Sequence, residues 1–366
     1  MSRARDFANL AGRTSAGTIQ DRNFIINGGM KISQRPGTST ASITGSDVFV
    51  VDRWRLDEAA DSTLTMSQET LTSGAAFDAG LNHSLKVLVT DEDTSIGTTQ
   101  SVQLMQHIEA QNLQTLKFGS SGAENLTLSF YYKSNVTGVH TVCIDKPDST
   151  RTTCPLEFNV SSANTWTRYT LNAAANSAVQ GSSGAIANDN GTGFRVMWGL
   201  AYGSAYQSGT SGTWEQNGTA SFSTSNQQNI VGADDNYIEL TGVQLEIGDV
   251  ATPFEHEDVN TTLKKCQRYY HDGFGAGDTY NYAEKGPVTT QLWWRLFHGT
   301  MRIEPTATVF AGTNQTDSGK ALPAGGTAEA MTNVSHGHVN YTHLLRTASV
   351  SAQNYSIQSA QLDAEL

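Results

Sequence analysis

Apolar and polar positions alternate along the first two-thirds of the chain. In "LTLSFYYK", Leu126, Leu128, Phe130 and Tyr132 fall at every second position, and a period of two puts such residues on one face of a β-strand. "STLTMSQ" does the same with Leu64 and Met66, "SLKVLVT" with Leu85, Val87 and Val89, and "SVQLMQHI" with Val102 and Leu104. "TWTRYTL", "FRVMWGL", "TASFS" and "YIELTGVQLEI" continue the series. Many short strands of this kind, separated by turn residues, predict an antiparallel sandwich of two sheets. The intervening stretches 172–193 and 203–220 are too polar to bury and too rich in glycine to hold a helix.

The period changes once. In "EDVNTTLKKCQRYYHDG", Val259, Leu263, Cys266 and Tyr270 recur at helical spacing, with Asp258 or Asn260 placed to cap and Gly273 to stop. Strand signals resume in "TTQLWWRLFHGTMRIEPTATVFAG" and end in "YSIQSAQLDAEL". The expected organisation is a short N-terminal segment (1–21), a β-sandwich (22–257), a linking helix (258–272) and a smaller C-terminal β domain (273–366). The fold class is all-β.

Composition supports this reading and removes several functions. The 366 residues include 34 Gly, 16% are charged, and the formal net charge is -12. An acidic chain without clustered Lys and Arg is a poor match for nucleic acid. A run of about 18 apolar residues, as a membrane span needs, is absent from the sequence, so no membrane insertion is expected. The start, "MSRARDFANLAGRT", lacks the apolar stretch of a secretory signal. Neither a nucleophile motif nor a phosphate-binding loop is present, and no cofactor is expected.

Cys143 and Cys154 flank the turn "DKPDST". A regular hairpin centred between Asp148 and Ser149 would place the two thiols opposite each other, close enough to oxidise. The plainer reading is two reduced thiols packed as small apolar groups. Cys266, in the helix, reads as core.

The stretch "YIELTGVQLEIGDVATPFEHED" (237–258) is rich in carboxylates. Ile238 and Leu240 share one face, Val243, Leu245 and Ile247 resume it after Gly242, and this change of phase is what a bulge produces. Glu239 and Glu246 then lie on the polar faces, where solvated carboxylates belong. Catalysis by paired carboxylates needs two groups about 5 to 9.5 Å apart across a sugar, and nothing in this spacing imposes that arrangement.

Sugar recognition calls for exposed aromatic rings beside amides or acids. Tyr202, Tyr206, Gln207, Trp214 and Glu215, in Gly- and Ser-rich loops, fit that need best. Tyr280, Tyr282, Trp293 and Trp294 form a second candidate surface. His336 and His338, with His343 nearby, are weak metal candidates and read first as solvent-facing; Asp234 and Asp235 are weak calcium candidates. No metal is expected. In "VVDRWRL", Trp54 reads as core and Asp52 with Arg53 as a charge-assisted pair locking a strand.

Several of these stretches also resemble one family. "DRNFIINGGMKISQRPGTS", "SDVFVVDRWRL", "ELTGVQLEIGDVATPFEHEDVNTTLKKCQRYYH", "MRIEPTATV" and the terminal "LDAEL" are similar to bacteriophage tail proteins with a jelly-roll like that of carbohydrate-binding modules. "SRARDFANLAG" resembles the short peptide by which some tail fibres join the virion, which implies attachment through Arg3, Arg5, Phe7 and Leu10. The resemblance implies a virion tail protein made in the bacterial cytoplasm, a homotrimeric fibre-type adhesin joined to other tail proteins. Its partner would be a host surface polysaccharide or outer-membrane receptor, contacted without catalysis. A head decoration or tail connector protein, and a polysaccharide depolymerase, are the alternatives.

Overall fold

The computed structural model describes residues 22–35, 43–45, 47–272, 284–285, 291–297, 300–310, 320–323, 329–330, 341–347, 355–356 and 359–365. The chain divides into two compact units, Met1–Asp258 and Val259–Leu366.

In the first unit the alternating segments become β1 (Val48–Phe49), β2 (Arg55–Ala59), β3 (Thr63–Thr70), β4 (His83–Asp91), β5 (Ser101–Glu109) and β6 (Leu126–Ser134). They are followed by β7 (Gly138–Lys146), β8 (Thr152–Val160), β9 (Thr167–Ala173), β10 (Thr192–Tyr202) and β11 (Tyr237–Ile247). A six-stranded sheet, β1-β2-β5-β10-β7-β8, faces a five-stranded one, β3-β4-β11-β6-β9. The pairings are antiparallel, and the whole is a jelly-roll sandwich.

The predicted inward residues meet between the sheets. Leu64, Met66, Leu85, Val87, Val89, Val102, Leu104, Leu126, Leu128, Phe130 and Tyr132 are all buried in one core. Its centre is aromatic: Trp198 lies 5.6 Å from Trp54 and 5.4 Å from Phe130, in tilted and edge-on contacts that suit ring quadrupoles. One predicted strand is absent: "TASFS" lies in a 3-10 turn, Gly218–Ser221, followed by Phe222.

The bulge expected in β11 is present, with a register shift between Thr241 and Gln244 and Gly242 at φ +60°. Glu239 and Glu246, by contrast, are buried, not solvated. Glu239 pairs with Lys133 at 2.6 Å and accepts from Ser84 Oγ. Glu246 accepts from the Thr252 backbone N–H at 2.7 Å and from Gln244 Nε2. The segment after β11 folds back over its outer side, so the carboxylate becomes the anchor of that return.

The N-terminal asparagines and glycine also act structurally. Asn23 donates to the Val243 carbonyl and accepts from Leu245 N–H. Asn27 donates to the carbonyls of Ile32 and Asp52 and accepts from Ile32 N–H. A Cβ on Gly28 would fall 2.1 Å from the Val243 oxygen, so only glycine allows this approach. Trp54 is core, its indole N–H donating to the Asn27 carbonyl. The Asp52 carboxylate accepts from Gln34 and lies near Arg35, and Arg53 donates to the His107 carbonyl at 2.7 Å.

In the second unit the helix spans Val259–Gln267 and ends before the predicted stop, because Tyr270–Asp272 leaves it to pair with Ser359–Asp363. Its buried face carries Thr262 and Cys266, while Val259 is exposed. Tyr269 and Tyr270 are both buried. Strand Thr306–Phe310 completes that sheet, and Glu284–Lys285, Gln291–Phe297 and Tyr341–Thr347 form another.

Candidate functional site

β10 carries the floor of the site. Val196, Trp198 and Leu200 enter the core, while Met197 and Tyr202 belong to a smaller apolar cluster with Met105, Cys143 and Phe222. A register irregularity between Gly199 and Ala201 shifts the alternation, and so returns Tyr202 to the outer face. Gly199 makes room there: a Cβ would lie 2.4 Å from the Tyr202 ring and 2.8 Å from the Gln227 amide.

The long connection from β10 to β11 folds across this face. Tyr206 stacks on Phe222, centroids 5.8 Å apart at 24°, and its hydroxyl donates to the Thr99 carbonyl. Behind Phe222 lies a charged cluster. Asp145, fully buried, is engaged by Arg195 Nε at 2.6 Å and Arg151 Nε at 3.2 Å. Both guanidinium groups lie within 6 Å of the Phe222 ring, a cation–π geometry that pins the connection to the sheet.

Beside this covered region is a pocket of about 340 Å³ lined by Ile96, Thr98, Tyr202, Gly203, Ser204, Gln207, Gln227, Gln228 and Asn229. The Tyr202 hydroxyl donates to Gln103 Oε1 at 2.6 Å, and burial raises its pKa. Gln207 donates to the Tyr202 carbonyl. Gln227 Oε1 accepts from Ser223 Oγ and Thr141 Oγ1, while its buried Nε2 has no hydrogen-bond partner among the described residues. Gln228 is fixed by its backbone N–H to Val139, and its exposed side-chain amide makes no hydrogen bond among the described residues. The lining therefore offers amide donors and acceptors against an aromatic wall, and it contains no carboxylate, imidazole or thiol.

Two of the five residues predicted from loop aromaticity, Tyr202 and Gln207, meet in this pocket, and Tyr206 packs alongside. Tyr202 is nevertheless buried, so it forms a wall and not an exposed platform. Trp214 is a correction of the same kind. It is 2% exposed, edge-on to Phe118 at 5.4 Å and stacked with Phe194 at 6.1 Å. The cause is edge pairing: Glu215 exchanges backbone hydrogen bonds with Thr153 on β8, and alternation then turns Trp214 inward. Glu215 accepts from Asn217 away from the pocket. The amide run Asn226–Asn229 supplies the residues that aromatic content missed, and four adjacent amides in a loop were the available signal.

The other candidates fall elsewhere. Tyr280, Tyr282, His336, His338, Arg3, Arg5, Phe7 and Leu10 lie outside the described residues. Trp293 and Trp294 occupy consecutive positions in Gln291–Phe297, opposite Leu345 and Leu344; His343 pairs with Arg295. Asp234 and Asp235 are exposed turn residues. Among the described residues no three His, Cys, Asp or Glu side chains gather where a metal ion could sit.

No family model matches the sequence, and no curated protein matches it either. Solved structures with a similar layout include the enzymatically active domain of tailspike protein 4 of bacteriophage CBA120, at 11% identity and TM-score 0.32, covering 62% of this chain and 21% of that one. This chain thus spans about a fifth of the tailspike domain's length. Two others are a CBM4 module (12% identity, TM-score 0.29, 61% of this chain and 98% of that one) and the family 11 carbohydrate-binding module of a Clostridium thermocellum cellulosomal cellulase (13%, 0.27, 60% and 99%).

Proposed function

We propose that the sandwich is a carbohydrate-contacting module that binds without cleaving, and that the chain serves as a fibre-type adhesin of a phage tail. The observation that carries the binding reading is the lining of the 340 Å³ pocket: Gln207, Gln227, Gln228 and Asn229 beside Tyr202. Amides pair in both directions with neutral hydroxyls, and the buried Tyr202 closes the wall behind them. A lining without an acid or a base supports binding over hydrolysis, because glycoside cleavage needs a proton donor and a second carboxylate. Glu239 and Glu246, buried and bonded to structural partners, are not free to act as that pair. The phage setting, the trimer and attachment through the N-terminal peptide rest on the sequence motifs alone.

The test uses the purified full chain, labelled and titrated onto host cells and onto immobilised neutral oligosaccharides. Saturable adhesion that blocks phage adsorption is expected, and Gln228→Ala should weaken it while leaving the melting temperature unchanged. Absence of adhesion from a correctly folded oligomer would favour a connector or decoration role. Release of oligosaccharides from host polysaccharide would establish the depolymerase reading instead.

A further inference from the structure

The outer face of the five-stranded sheet carries a different cluster. Register places Ser67 beside Lys86, Lys86 beside Glu239, and Glu239 beside Lys133. Strand alternation turns this row away from the core, because Met66, Leu85, Val87, Ile238, Leu240, Tyr132 and their neighbours point inward. The end of β3, the turn that follows it, and the loop before β9 rise around the row. Together they wall an open pocket of about 460 Å³ that includes Glu69, Lys86, Lys133, Asn164, Trp166 and Glu239.

Trp166 is half-buried and packs against Leu71, Ala76 and Leu81. Gly74, at φ +93°, lets the turn approach: a Cβ there would lie 3.0 Å from the indole. Asn164 sits at φ +59°, and its side-chain oxygen accepts from the Tyr237 hydroxyl at 2.6 Å. Its amide N–H groups and the Trp166 indole N–H make no hydrogen bond among the described residues.

The two lysines differ in one respect. Lys133 is neutralised by Glu239 at 2.6 Å and lies 5.2 Å from the Trp166 ring centroid. Lys86 is half-buried, 5.0 Å over the Tyr237 ring, and has no ion pair or hydrogen bond among the described residues. Of the two lysines, Lys86 is the one without an ion pair; Glu239 and Glu69, whose carboxylate accepts from Ser67 Oγ at 2.6 Å, balance the formal charge of the lining. A half-buried ammonium without an ion pair, beside the Asn164 and Trp166 N–H groups, is placed to take an anionic oxygen directly.

We propose that this pocket is a second carbohydrate site, specific for an acidic sugar. The carboxylate would meet Lys86, the Asn164 amide and the Trp166 N–H would take ring oxygens, and the indole would back the apolar face of the ring. The site lies on the sheet opposite the amide pocket and stands whether or not that pocket binds glycans.

The test titrates the full chain with oligogalacturonate, with sialyllactose and with neutral lactose, following tryptophan fluorescence and calorimetry at low and high salt. Saturable binding of at least one acidic ligand is expected, weakened by salt; lactose should not bind once Gln228→Ala has removed the amide pocket's share, and which acid binds identifies the carboxylate geometry accepted. Lys86→Gln should weaken it roughly tenfold or more, Lys86→Arg should retain it, and Gln228→Ala should leave it unchanged. An unchanged melting temperature in Lys86→Gln separates loss of the site from loss of fold. Equal binding of lactose by the Gln228→Ala chain, indifference to Lys86→Gln, or no saturation by either acidic ligand up to millimolar concentration would overturn the proposal.

Discussion

Cys143 and Cys154 sit on paired strands but face opposite sides of the six-stranded sheet. Cys143 is opposite Pro155, and Cys154 is opposite Ile144, so the two are one register position out of alignment. Cys143 packs with Met105, Met197, Tyr202 and Phe222 on the outer side, and Cys154 enters the main core. The expected face-to-face pairing fails because Lys146 pairs with Thr152, leaving an odd-membered loop of 147–151 with Ser149 at φ +54°. The Lys146 ammonium fills that loop, donating to the carbonyls of Asp148 and Thr150.

A disulfide between these two residues is therefore excluded while the sheet is intact. Both thiols are buried, and burial raises both pKa values, which suppresses the reactive thiolate. Native protein should give no fast reaction with a thiol reagent such as DTNB, and all three cysteines should react after denaturation. Fast labelling of Cys143 or Cys154 under native conditions would contradict the register.

His140 should make stability depend on pH. Its Nε2 faces the Val136 carbonyl at 3.1 Å and its Nδ1 faces the Tyr132 hydroxyl at 2.9 Å. The carbonyl can only accept, so the neutral ring donates from Nε2 and accepts at Nδ1. Burial lowers its pKa from 6.5 to about 4. Between those values the unfolded chain holds a proton that the folded chain does not, so unfolding takes up a proton and acid favours it. The contribution is full above pH 6.5, falls away as pH approaches 4, and amounts to about 3 kcal/mol in total. Urea denaturation across that range checks it, and His140→Asn should start less stable but lose this component of the slope.

Asp145→Asn should destabilise the sandwich by about 2–4 kcal/mol, because it leaves Arg151 and Arg195 without their shared, fully buried anion. The connection carrying Phe222 should loosen as well, since both guanidinium groups position that ring. Chemical denaturation measures the first effect. Faster amide exchange around 203–224 reports the second.

Gly242→Ala should cost about 2–3 kcal/mol. At φ +60° a Cβ would fall 2.7 Å from Leu81 Cδ1 and 2.9 Å from the Tyr131 ring. Thermal melting of the variant tests this, and a melting temperature equal to the parent's would show that the bulge relaxes freely.

The amino-acid sequence by itself determined the fold class and most of the core. A period of two reports which side of a strand is buried, and that is a local property of Leu126, Leu128, Phe130 and Tyr132. The bulge at Thr241–Gly242 was legible for the same reason, as a break in that period. What alternation cannot report is what covers the other side. Glu239 and Glu246 read as solvated, yet Lys133 and the returning segment at Thr252 bury them. Trp214 read as exposed, yet pairing of Glu215 with the free edge of β8 turned it inward. The amide pocket joins residues 96–98, 202–207 and 227–229, and the pocket around Trp166 joins four strands and two loops. Those sets are far apart along the chain, so only long-range strand pairing and the path of the covering loops could decide that they meet.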